Sequence, residues 1–162
     1  MTYDPQFMHR AIALSEQALA VPGAAPYGAV VVKDGRIIGE GLNHAICNHD
    51  PSSHGEVEAI RAACRALETV DLSGCDLYTS CEPCALCVSL MTITNIAQLY
   101  YAAGKEDACA LLTDWPDSLA YSLGVMHEAG VRVGSGRLPA AQHMGRAALA
   151  VIDRWMLAKG LA

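Results

Sequence analysis

Charge is scarce in this chain. Asp, Glu, Lys and Arg make up 17% of its 162 residues, against about 25% in typical soluble domains. Positive charge is scarcer than negative. The 11 Lys and Arg are scattered from Arg10 to Lys159, and the net charge is −6. Proteins that grip a polyanion usually carry a basic patch, so this balance counts against a nucleic-acid substrate. No apolar run reaches the length of a membrane span, which speaks against a membrane protein. The opening Met1-Thr2-Tyr3-Asp4-Pro5 lacks the basic and then apolar stretches of a secretory leader. No internal repeat, linker or low-complexity segment is seen. These absences lead to the expectation of a cytoplasmic protein with reduced thiols.

What the chain does have is apolar residues, at 52%. A length of 162 residues fits one domain, 1–162. Such a chain can bury roughly 70% of its unfolded surface and needs no covalent staples. With so little charge to cover a monomer, part of the apolar surface is expected to lie in a subunit interface, most simply a homodimer. Seven cysteines is an odd number. Cys47, Cys64, Cys75, Cys81 and Cys109 read as small core residues or as incidental.

Hydrophobic spacing divides the chain into elements. Asp4-Pro5 can open a helix whose apolar stripe is Phe7, Ala11, Leu14 and Ala18. Residues 28–32 and 36–40 read as two strands joined by an Asp34-Gly35 turn. A polar loop over 41–53 follows, of the kind often found beside active sites. A helix is expected from about His54 to Leu67. Its buried stripe is Val57, Ile60, Cys64 and Leu67, and its solvated face is Glu58, Arg61, Arg65 and Glu68. Residues 75–80 read as a strand. Residues 84–94 read as a helix apolar nearly all round and therefore buried, and 97–102 as a further strand. Beyond these come a helical turn near 108–112, a helix from about Ser118 to Gly130, a short strand at 131–133 and a long helix over 139–159. That last helix would pack on the domain or on a partner subunit. A hairpin followed by strand–helix alternation gives an α/β fold, a three-layer α/β/α sandwich with a mixed five-stranded sheet.

Two short motifs carry chemistry. Pro83-Cys84-Ala85-Leu86-Cys87 places two thiols on one face of a helix's first turn. Pro83 suits a helix start, because its missing N–H would have no partner there. The amides and positive dipole end at such a start favour thiolates, the metal-binding form. Upstream, His54-Gly55-Glu56 offers an imidazole as third ligand and a carboxylate as proton carrier. Three protein ligands with an open fourth position mark a catalytic zinc rather than a structural one. Such a zinc lowers the pKa of water from about 16 to about 7. Glu56 would carry protons to and from that water. Cys81, three residues before Cys84, is a conceivable alternative ligand.

The order H-x-E followed by P-C-x-x-C resembles the cytidine-deaminase-like zinc deaminases. The likeness runs from about Tyr27 to Ala103. It is closest in Asn48-His49-Asp50-Pro51-Ser52-Ser53-His54-Gly55-Glu56-Val57-Glu58-Ala59-Ile60-Arg61, in Leu77-Tyr78-Thr79-Ser80-Cys81-Glu82-Pro83-Cys84 and in Tyr101-Ala102-Ala103. These look like the guanine deaminase branch and, somewhat less, the tRNA adenosine deaminases. The resemblance implies His54, Cys84 and Cys87 as zinc ligands and Glu56 as proton shuttle, with Asn43 and Tyr27 contacting the base. It also implies that Glu56 converges on the metal with His54, which ideal helical spacing does not supply. Gly55 stands where the family usually has alanine, a small-for-small change expected to matter little. Guanine deaminases carry a second acid after the last sheet strand, and Asp114 or Asp117 could serve here. The aromatic C-terminal tail of that branch is not evident.

The leading expectation is hydrolytic removal of ammonia from a free aminated base, guanine foremost. Pyrimidines, aminotriazines and other aminated rings compete with it. A tRNA adenosine deaminase and an inactive zinc-binding module are further alternatives.

Overall fold

A computed structural model of the chain describes residues 2–111, 124–125, 127–130, 144 and 149–151. Two compact units are present, Met1–Met126 and His127–Ala162. In the second unit, residues 127–130 and 149–151 are helical. The strand expected at 131–133 lies outside the described residues, as does most of the helix expected over 139–159.

The first unit is built on a sheet. Strand β1 (Ala25–Lys33) turns at Asp34-Gly35 into β2 (Arg36–Asn43). Both turn residues have positive φ, 49° and 72°, the backbone that a two-residue hairpin requires. Strand β3 (Asp76–Cys81) pairs antiparallel with β1. Strand β4 (Gln98–Ala103) pairs parallel with β3. The order is β2-β1-β3-β4, so the described sheet is mixed and has four strands where five were expected.

Alternation along β1 decides the layers. Val30 and Val32 face helix α1 (Pro5–Glu16), packing with Phe7, Met8, Ala11, Leu14 and Tyr78. Asp4 caps α1, its carboxylate accepting from the Gln6 amide at 3.0 Å. Ala29 and Val31 face the other way, onto helix α2 (Gly55–Leu67) and helix α3 (Ala85–Ile93). Val57, Ala59, Ile60 and Ala63 of α2 and Cys87 and Met91 of α3 complete that core. A short helix α4 (Lys105–Leu111) follows β4.

Helix α2 lies very close to the sheet at its start. A Cβ on Gly41 of β2 would stand 2.1 Å from the Gly55 carbonyl oxygen. Only hydrogen fits there, so Gly41 sets the approach of the helix end that carries the H-x-E motif.

Helix α3 departs from expectation. Its composition predicts burial all round, yet Leu86 is 44%, Val88 42% and Ile93 75% exposed. Only Cys87 and Met91 are fully buried. The helix lays one side on the core and leaves the other apolar side outward.

The polar face of α2 departs in the opposite sense. Glu58 is not simply solvated: it accepts from the Ser53 hydroxyl at 2.8 Å and from Arg61 at 2.7 Å. Arg61 also donates to the Ser52 hydroxyl at 3.1 Å, and Ser53 accepts from the Asn48 side chain at 3.1 Å. Ser53 is fully buried. The loop from His44 to Ser53 is thus folded down onto α2.

Candidate active site

Both motifs fall at helix starts on the same side of the sheet. His54 is the residue capping α2, with extended φ −77° and ψ 155°. Cys84 caps α3, with φ −79° and ψ 172°. Their carbonyls accept the first helical bonds, from Glu58 at 2.9 Å and from Val88 at 3.0 Å. Pro83 therefore stands one place before the cap, outside the helix proper, because the extended Cys84 delays the first turn.

Being extended, His54 is released from helical spacing. This is why it meets a residue two places on in the helix. His54 Nδ1 lies 3.5 Å from both Cys84 Sγ and Cys87 Sγ, and the sulfurs are 3.7 Å apart. The three ligand atoms all fall within 4.8 Å of one another. Cys81 is not part of this group among the described residues. Glu56 Oε2 sits 3.4 Å from Cys87 Sγ, and Glu56 Oε1 accepts from the Thr79 hydroxyl at 3.2 Å. Glu56 and the three ligand atoms thus lie close together at the two helix starts.

The protonation states follow from these contacts. The hydrogen bond from Cys87 is the main force lowering Cys84, to about 3, with His54 adding to it against burial. The same contact with Cys84, with burial, pushes Cys87 up. The Cys84 sulfur holds the His54 imidazole above its ordinary range, mainly through their hydrogen bond. Two sulfurs and an imidazole thus compete for protons in a small volume, and a divalent cation bound there would displace those protons. Two sulfurs and one ring nitrogen suit zinc. The donor set therefore fits the ion.

Glu56 is almost fully buried, and burial is the chief cause of its raised pKa. A carboxyl shifted upward holds a proton more readily, as a group that accepts and returns one must.

Asn43 ends β2 and is buried. Its Oδ1 accepts from the Ala45 amide at 3.1 Å, which sets the carboxamide's orientation. Tyr27 is half-buried on β1, where the β1–β2 register shifts between Ala25 and Gly28. Ser80 accepts the Gly28 amide there at 3.0 Å. Asp114 and Asp117 lie outside the described residues.

Gly55 corrects an expectation. A Cβ at this position would lie 2.3 Å from the Tyr27 carbonyl oxygen and 3.0 Å from its carbonyl carbon. Alanine cannot enter without moving backbone, so the exchange is not neutral here. Sequence reasoning also passed over Thr79 and the Ser53–Glu58–Arg61 group. Strand alternation could have placed Thr79 on the α2 side with Leu77, but it does not name a partner.

The chain is similar to several known proteins. Residues 1–103 match the cytidine and deoxycytidylate deaminase zinc-binding region. The chain is 42% identical over 115 residues to guanine deaminase of Bacillus subtilis (strain 168), covering 71% of this chain and 72% of that one. The X-ray structure of guanine deaminase from Bacillus subtilis superposes with a TM-score of 0.82 at 32% identity, covering 95% and 94% of the two chains. A tRNA-specific adenosine deaminase of Buchnera aphidicola subsp. Baizongia pistaciae (strain Bp) is 38% identical over 100 residues, 62% of this chain and 61% of its own. The match over residues 1–103 shows the family, and His54, Cys84 and Cys87 are a group that could hold its metal: the chain belongs to the cytidine and deoxycytidylate deaminase zinc-binding family.

Proposed function

We propose that the protein is a zinc-dependent hydrolytic deaminase of a free heterocyclic base, converting guanine to xanthine and ammonia. One observation carries the reading: a buried carboxylate, Glu56, stands beside a three-ligand group at 3.4 Å without belonging to it. A purely structural site has no use for such a group. Zinc held by His54, Cys84 and Cys87 supplies a Lewis acid that makes water nucleophilic near neutral pH.

Glu56 takes one proton from the attacking water and gives it to the ring nitrogen, then takes the second from the resulting hydroxyl and gives it to the departing ammonia. Asn43 pairs with the ring edge, since a carboxamide offers donor and acceptor together. Tyr27 lines the pocket. Asp114 or Asp117 supplies the second acid. The likeness to guanine deaminase supports guanine over other aminated rings. The net charge of −6 weighs against tRNA. We read 1–162 as one catalytic domain and infer a cytoplasmic homodimer. The apolar outer side of α3 supports self-association.

The test is ammonia release from purines, pyrimidines, triazines and their nucleosides, with wild type and Glu56→Ala in parallel. Release from guanine is expected, with a loss of several orders of magnitude in the variant and zinc content unchanged. Release confined to a pyrimidine or triazine would overturn guanine while keeping the mechanism. Release from tRNA alone would overturn the free-base reading.

A further inference from the structure

We propose that Thr79 is the positioning residue for the Glu56 carboxylate, an inference that rests on the deaminase reading of Glu56. Thr79 lies in the middle of the sheet, paired with Ala29 of β1 on one side and Tyr101 of β4 on the other. It is 1% exposed. Its backbone is held from both sides, and its β-branched side chain has few rotamers. The hydroxyl is therefore a fixed point.

It donates to Glu56 Oε1 at 3.2 Å, while Glu56 Oε2 is the oxygen beside the Cys87 sulfur at 3.4 Å. Glu56 sits in the first turn of α2, with a side chain long enough to take several rotamers. A carboxylate with one oxygen tied to the strand presents the other to the site. Without the tie, the same carboxylate can turn towards either sulfur or away from the reacting water. A proton carrier must lie within hydrogen-bond reach of its proton, so orientation enters the rate directly. Thr79 touches neither metal ligand nor substrate in this account; it acts through Glu56.

The test compares Thr79→Val, which keeps the shape and removes the hydroxyl, with Thr79→Ser, which keeps the hydroxyl and removes a methyl. Both are measured as full-length zinc-loaded protein. For Thr79→Val, kcat on guanine is expected to fall about ten- to hundredfold. KM should stay within about twofold and bound zinc should be unchanged. Thr79→Ser should recover kcat to within about threefold of wild type. Crystal structures of the variants give a readout independent of turnover: the Glu56 carboxylate should swing in Thr79→Val and hold in Thr79→Ser. A Thr79→Val enzyme with wild-type kcat would overturn the proposal. So would a Thr79→Ser variant as impaired as Thr79→Val, since packing and not the hydroxyl would then matter. Should wild type release ammonia from no base, the functional reading fails by itself. The crystallographic comparison still decides the positioning role, with an unmoved carboxylate overturning it.

Discussion

At the scale of single residues, the site was legible where its information is local. His54, Glu56, Cys84 and Cys87 announce themselves by residue type and spacing, and the structure brings them together. What sequence could not give was contact across elements. Gly55 read as a harmless variant of alanine because helix propensity and size say nothing of the Tyr27 carbonyl lying opposite. Gly55→Ala is expected to cost about 1–3 kcal/mol, the usual penalty of overpacking a tight site. Chemical denaturation measures it, and an unchanged unfolding midpoint would show that β1 yields freely at Tyr27. Ser53 belongs to the same class of hidden contact. Its buried hydroxyl both donates to Glu58 and accepts from Asn48. Ser53→Ala removes both bonds, although Glu58 keeps Arg61, and should lower stability by about 1–3 kcal/mol, read from the same curves.

At the scale of elements, periodicity placed the helices and strands well and their surroundings poorly. The face of α2 bearing Glu58 and Arg61 was correctly identified as polar. A helical wheel does not say that a loop will fold over it. Helix α3 shows the converse: apolar composition gave a helix but not what covers it. Contacts between elements also set the response to acid. Arg10 of α1 donates to Glu40 of β2 at 2.8 Å and 2.6 Å. The Arg10 hydrogen bond holds Glu40 below its ordinary 4.5. A carboxylate lowered on folding stabilises the fold above its unfolded pKa, and that contribution fades as pH falls through the folded value. Between pH 7 and about 3 the wild type should therefore lose more stability than Glu40→Gln. The side chains are 41% and 35% exposed, so the difference should stay under about 1 kcal/mol and shrink with salt. Parallel acid losses in the two proteins would show the pair to be energetically silent.

At the scale of the whole molecule, low charge and high apolar content pointed to surface that a monomer would not hide. Exposed apolar residues on α3 are in keeping with that expectation, Leu86 and Ile93 being 44% and 75% exposed. Seven positions apart, they fall on nearly the same side of the helix. Sedimentation velocity should report a dimer at micromolar concentration, and Ile93→Glu should drive it towards monomer with secondary structure intact. A wild type that sediments as a monomer would refute the inferred assembly. The meeting of Gly55 with Tyr27 has a further consequence on this scale. A wall of the proposed base pocket and the arm carrying a metal ligand touch backbone to backbone, with no side chain between them to give way. So close an approach leaves little room for the two to slide past each other. A base entering the proposed pocket is therefore expected to do so with β1 and α2 still joined.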